Sequence, residues 1–405
     1  MKKLAFVAFA LTTFLTYSQS DKVIIGDIKK IDSKILNEKR KICISLPKSY
    51  NSNSESNQKY PVIYLLDGEN NFPSVAGMLT DWTGTVQSNY PEMIVVGIIN
   101  IDRNKDYTPT HAYRSSEDSL MDNISGGGEK FTSFLEKELI PYINENYSTD
   151  SYNVLIGHSL GGLFVVNTLL NHTQLFNAYI AIDPSLWWDN KILVKQAKEK
   201  LSLLNFEGIS LYMGIANTID GGYDTSNIQN STIPSNLHPQ AIFELDKLLK
   251  TNTKLNYQSH YYDNEDHNSV GFITKVEGLA HIFKHYKLRI SDDEFENIDQ
   301  EYVIKIENHY KTYSTSIGHE VKVPESFINE IGYSCLNLNK YDAAKLLFEY
   351  NIKNYPLSGN CYDSYGDYFV EIGNIDQAII YFEKALTLSN IPETKKKLKA
   401  FKKRK

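Results

Sequence analysis

The sequence predicts an α/β domain, a mostly parallel sheet with helices on both faces, followed by a small all-α unit of repeated helical hairpins. Three observations carry this. Short, near-continuous apolar runs alternate with helical patterns up to about residue 288, a glycine-flanked turn joins one of those runs to an apolar helix, and the C-terminal part repeats at a fixed spacing. At about 100–200 residues per domain, 405 residues accommodate two units that each bury a core.

Taken in order, Lys2 and Lys3 precede an apolar run from Leu4 to Leu15, so residues 1–20 read as an export signal rather than a membrane span. The mature chain is expected to begin near residue 20 and to be periplasmic or secreted, with no integral membrane span. Two β-type stretches follow at Lys22–Leu36 and Lys39–Leu46. Buried strands are expected at Tyr60–Leu66, Met93–Asn100, Tyr152–Ile156, Ala178–Ile182, Ile209–Ile215 and Leu255–Tyr262. Between them the helical spacing falls at Phe72–Trp82, Glu129–Asn146, Leu160–Asn171, Lys191–Leu204 and Pro239–Lys250, with a last helix near Val276–Tyr286. The α/β domain is therefore assigned to residues 21–290, and the charged stretch Ser291–Asp299 is read as a linker.

Residues 293–405 are expected to be helical throughout. Gly332 and Gly366, Ala344 and Ala378, Phe348 and Phe382, and Glu349 and Glu383 each stand 34 apart, the period of tetratricopeptide-like hairpins. Two repeats are clear, near residues 325–358 and 359–392, and a helix near Tyr302–Tyr313 would complete the stack.

The net charge of −7 and the absence of a basic stripe exclude a nucleic-acid footprint over the main body. Cys43, Cys335 and Cys361 lack the spacing of a zinc or redox site, so cysteine is expected to carry no chemistry, and the serine chemistry read below calls for no metal and no cofactor.

The chemistry concentrates where strand Tyr152–Ile156 runs into Gly157-His158-Ser159-Leu160-Gly161-Gly162 and an apolar helix follows. This is G-x-S-x-G in a strand–turn–helix setting, as in the α/β-hydrolase fold, where the turn lifts the serine above the sheet and the next backbone N–H faces an oxyanion. Ser159 is the candidate nucleophile and Leu160 N–H one oxyanion donor. A serine needs a base, and in that fold the histidine follows the last strand. His267, in the polar loop after Leu255–Tyr262, fits that place; the side chain of His158 is expected to point away. The carboxylate is expected on the loop after Ile209–Ile215, where Asp224 is preferred over Asp220 because Gly221-Gly222 would let the loop fold back; a Ser-His dyad without a carboxylate is the alternative. The loop ending Tyr60–Glu69 offers the Glu69 N–H as second oxyanion donor.

With these residues in place, residues 22–288 resemble the esterase D-type α/β hydrolases, which include siderophore esterases and several feruloyl esterases. The resemblance rests on YLLDGE at 64–69, the Asn100–Pro109 segment, GHSLGG at 157–162, Pro184-Ser-Leu-Trp-Trp188 and Glu-Asp-His267-Asn-Ser-Val. It implies Ser159 and His267 as nucleophile and base and Glu69 and Leu160 as oxyanion hole. It also implies that Arg103 and Trp187 lie near the substrate; the alternative for Arg103 is a pairing with Asp106. The expected function is an exported serine esterase acting through an acyl-enzyme on a small-molecule or polysaccharide-linked ester, with a protein partner expected at the repeats. Acyl transfer on the same site and an inactive scaffold whose repeats bind a protein are the alternatives.

Overall fold

Eight strands form one sheet in the order β1-β2-β4-β3-β5-β6-β7-β8 in the computed structural model, which describes residues 23–50, 58–84, 88–112 and 124–403. The expected export signal lies outside the described residues. β1 (Asp27–Ser33) and β2 (Glu38–Ser45) form an antiparallel hairpin turned through Asn37, and β2 lies antiparallel to β4 (Ile94–Ile98). All other pairings are parallel, among β4, β3 (Tyr60–Leu65), β5 (Thr149–His158), β6 (Ala178–Ile182), β7 (Ser210–Ala216) and β8 (Asn256–Tyr262). β3, β4, β6 and β7 are buried along their whole length, which is why their sequences run apolar without alternation.

The helices are α1 (Gly68–Trp82), α2 (Arg103–Tyr107), α3 (Gly128–Phe134), α4 (Ile140–Asn146), α5 (Leu160–Asn171), α6 (Trp188–Lys200), α7 (Leu237–Lys250) and α8 (Val270–Ile282). The expected helix Glu129–Asn146 is α3 and α4 joined by a π-helical turn at Leu135–Leu139. The last helix begins earlier than expected, because Asp266 accepts the N–H groups of Asn268 and Ser269 and starts the helical turn directly after His267.

The expected linker is itself ordered: α9 (Asp292–Glu296) opens with a Ser291–Glu294 capping box. Then come α10 (Gln300–Ile317), the hairpins α11 (Glu325–Asn337) with α12 (Tyr341–Asn354) and α13 (Gly359–Glu371) with α14 (Ile375–Leu388), and α15 (Pro392–Lys402). The 34-residue spacing has a direct contact behind it. A Cβ on Gly332 would stand 2.7 Å from the Phe348 ring, and one on Gly366 2.5 Å from the Phe382 ring, so each hairpin closes by laying a phenylalanine over a glycine.

The repeats pack against the edge where the parallel strands begin. Tyr152, at the start of β5, meets His319 with ring centroids 5.5 Å apart, Tyr286 meets Tyr313 edge-on at 5.5 Å, and His309 Nε2 donates to the Tyr286 carbonyl at 2.9 Å. One apolar cluster runs from Ile63 and Tyr152 through Tyr310 and Phe327 to Tyr368. A cavity of about 570 Å³ remains between the two parts, lined by Tyr60, Tyr152, Tyr286, Tyr310 and Tyr313 among others. None of Ser159, Asp183 and His267 lines it; those residues lie beyond the opposite ends of the strands.

Candidate active site

At that opposite edge, β3, β5 and β6 are each followed within two residues by one with positive φ: Asp67 (52°), Ser159 (60°) and Asp183 (39°). Such non-glycine conformations cost about 1–3 kcal/mol each and persist only where the surroundings hold them. Ser159 is held by its own N–H on the Ile182 carbonyl, 2.9 Å, and by its carbonyl, which accepts the Ser185 N–H at 3.0 Å. The turn is tight enough that a Cβ on Gly157 would stand 2.4 Å from the Gly161 carbonyl oxygen, so position 157 admits only glycine without a shift.

His267, between β8 and α8, brings Nε2 to 3.1 Å from Ser159 Oγ and Nδ1 to 2.5 Å from Asp183 Oδ2. Asp183 is fully buried. Its N–H donates to the Gly214 carbonyl at 2.8 Å, Oδ1 accepts the Ala216 N–H at 3.0 Å, and Oδ2 also accepts from His238 Nε2 at 2.8 Å. Burial by itself raises this carboxyl; the hydrogen bonds from His238 and His267 outweigh it and hold Asp183 well below the usual carboxylate range. An ionised Asp183 on Nδ1 leaves His267 Nε2 as the acceptor toward the serine. His158 Nε2 donates to the His267 carbonyl at 2.7 Å, and Ser185 Oγ stands 3.2 Å from Ser159 Oγ.

Asp183, His238 and His267 are also the only group of metal-ligand side chains brought together among the described residues. Their spacing is that of hydrogen bonds: the nitrogens stand 2.5 and 2.8 Å from one oxygen. Ligands of a tetrahedral ion at about 2.0–2.2 Å would stand roughly 3.3 Å apart.

Gly68 opens α1, and a Cβ there would meet the Gly97 carbonyl carbon at 2.5 Å, so only glycine lets the β3 loop lie this close to β4. The N–H groups of Glu69 and Leu160 fall in the first turns of α1 and α5, where no intrahelical acceptor exists.

The family model described as "Putative esterase" matches residues 33–272. The chain belongs to this esterase family. A tetratricopeptide repeat model matches residues 360–391. A ferri-bacillibactin esterase of Bacillus subtilis is 35% identical over 161 residues, 36% of this chain and 54% of the relative. A siderophore enterobactin esterase of Emericella nidulans is 26% identical over 176 residues, 40% of this chain and 58% of the relative. The chain thus spans just over half the length of these relatives. Among solved structures, an IroE-like serine hydrolase from Shewanella oneidensis is 30% identical with a TM-score of 0.67, covering 80% of this chain and 98% of that one. No helix among the described residues is long and apolar enough to cross a membrane.

Within this esterase fold, Ser159 and His267 meet, but the expected carboxylates do not reach them. Asp224 is exposed and turned onto its own loop, accepting from Ser226 N–H and Oγ at 2.8 and 2.6 Å. Asp220 accepts from Ser235 Oγ at 2.6 Å. The carboxylate on His267 is Asp183, which comes one strand earlier. Its sequence signal is slight: an aspartate directly after an apolar strand and before Pro184, the same strand-end place that Asp67 holds.

The alternative for Arg103 is also overturned, because Asp106 pairs with the buried Arg40 at 2.8 Å. Arg103 grips Asp67 instead, with Nε to Oδ1 at 2.9 Å and Nη2 to Oδ2 at 3.2 Å, and donates to the His158 carbonyl at 3.1 Å. It thereby ties the β3 loop to the residue before Ser159. Trp187 stands half-buried two residues after Ser185, its ring 5.9 Å from Trp188. The His158 side chain, expected to point away from Ser159, directs Nε2 at the His267 carbonyl.

Proposed function

We propose that this protein hydrolyses carboxylic esters through an acyl-enzyme formed on Ser159. The observation that carries the reading is the unbroken line Asp183 Oδ2, His267 Nδ1, His267 Nε2, Ser159 Oγ, with steps of 2.5 and 3.1 Å. Ser159 Oγ attacks the ester carbonyl while His267 Nε2 takes its proton, and Asp183 stabilises the imidazolium that forms. The oxyanion is received by the Glu69 and Leu160 N–H groups, set at helix starts. The imidazolium then protonates the departing alkoxide, and the sequence runs again with water as nucleophile, releasing the acid and restoring Ser159. Acyl transfer differs only in the hydroxyl that accepts the acyl group.

The relatives named for siderophore esters support a siderophore-type or similar small ester as substrate, and the Lys2–Leu15 pattern supports export. The decisive test is hydrolysis of p-nitrophenyl acetate and butyrate by the wild type, Ser159→Ala and His267→Ala. Turnover lost in both variants supports the reading; turnover retained in Ser159→Ala sinks it. Release of free acid, rather than a new ester with added alcohol, separates hydrolysis from transfer.

A further inference from the structure

The loop between β7 and α7 does not bring a carboxylate to His267; it brings a histidine to Asp183. Residues 217–236 fold around the fully buried Asn236, whose Nδ2 donates to the Asp220 carbonyl at 3.0 Å and to Ser231 Oγ at 2.8 Å. Its Oδ1 accepts the Asp220 N–H at 2.8 Å. This network sets the start of α7, where His238 directs Nε2 at Asp183 Oδ2. The same oxygen accepts from His267 Nδ1, and the two imidazoles meet edge to face with centroids 5.4 Å apart.

Because a carboxylate oxygen only accepts, both rings must donate to it. His238 therefore carries a proton on Nε2, and the carboxylate is held at Oδ1 by Ala216 N–H and at Oδ2 from two sides. Its negative charge is divided between two imidazoles, of which one faces Ser159. The groups that can carry charge around this point are Asp183, His238 and His267, with Asp266 next to His267 in the chain and acting on it, and, on the other side of His267 at 4.6 Å between centroids, His158, whose carbonyl holds Arg103.

We propose that His238 is a positioning residue for the Ser159–His267 pair, orienting Asp183 and drawing off part of the charge that would otherwise stabilise the His267 imidazolium. The proposal rests on the hydrolase reading above. Without His238, Asp183 acts on His267 alone. The imidazolium is then favoured, so the base stays protonated to higher pH, while the carboxylate loses one of its holds.

The test uses the full chain as wild type, His238→Ala and His238→Gln. The rate at which a fluorophosphonate probe labels Ser159 is followed against pH, beside kcat and KM for p-nitrophenyl butyrate. His238→Ala is expected to label Ser159 about 10-fold more slowly, in line with loss of one hydrogen bond to a charged group. Its acid limb should move to higher pH, with KM within about twofold of the wild type for a role confined to the reacting groups. His238→Gln, which keeps a side-chain N–H donor, should recover most of the rate and the original limb. A wild type whose Ser159 is not labelled overturns the hydrolase reading itself. Equal rates and limbs in wild type and His238→Ala overturn the role of His238 alone. A slowing shared by both variants with the limb unmoved reduces His238 to a support of its loop and also overturns the proposal.

Discussion

The two edges of the parallel sheet are built from opposite materials. Where the strands end, Asp67, Ser159 and Asp183 hold left-handed backbone, and the polar groups beside them are tied to one another across several loops. Where the strands begin, Tyr152, Tyr286, Tyr310 and Tyr313 stack into one apolar layer with the repeats, leaving Tyr152 Oη and His319 Nε2 without a hydrogen-bond partner. The first edge gives up conformational energy to place hydrogen-bonding groups; the second buries area to attach a second unit. Substitutions at the first should therefore move rate far more than stability, and at the second the reverse.

The sharpest test of that division is Asp183→Asn set against Asp224→Asn. The amide can donate to His267 Nδ1 and so turns the ring to the wrong tautomer, with an expected loss in kcat of about 10⁴-fold. Asp224→Asn should stay within about twofold, because Asp224 serves only its own turn. Hydrolysis of p-nitrophenyl butyrate by the two purified variants reads this directly, and an equal loss in both would return the acid to the β7 loop.

At the other edge, Tyr313→Ala removes a ring that is 2% exposed. By the usual cost of emptying an aromatic site, unfolding should become easier by about 3–5 kcal/mol. The kcat of the folded fraction should be unchanged. Urea unfolding with activity measured below the transition checks both halves, and a fall in kcat at full folding would show that the two edges are coupled.

Arg103 lies at the first edge and distinguishes positioning from substrate contact. Lysine can meet Asp67 as a point charge but cannot also hold the His158 carbonyl with the same planar fork. Arg103→Lys should lower kcat about 10-fold with little change in KM, because what loosens is the placement of the loops around Ser159. A raised KM at constant kcat would assign Arg103 to the substrate instead.

The sequence is legible where function or packing is local. The elbow at Ser159 is spelled by three glycines within six residues, and the repeats by a glycine and a phenylalanine that touch at each period. The strands are legible because burial on both faces removes their alternation. Asp183 is not, since its partner lies 84 residues away and its positive φ leaves no mark in a non-glycine residue. The partner of Arg103, 36 residues distant, is hidden for the same reason, and proximity in sequence points wrongly to Asp106. The start of α8 is missed by a few residues because a single side chain, Asp266, begins the helical turn.

His158 gives the smallest expected effect, a pH-dependent change in stability at the edge where the strands end. Burial, then the neighbouring His267, lowers it from an ordinary value of 6.5 to about 4, so it remains a neutral N–H donor to the His267 carbonyl through most of the acid range. The unfolded chain takes up that proton near pH 6.5 and the folded chain only near 4. Between those values the unfolded state binds more protons, and stability falls as the pH is lowered. His158→Gln keeps a donor without a titrating ring. Its urea midpoint should therefore drop less than that of the wild type between pH 7 and pH 4.5, while the two coincide in slope above pH 7. Parallel decline of the two midpoints would mean that the acid sensitivity of this edge lies elsewhere than His158.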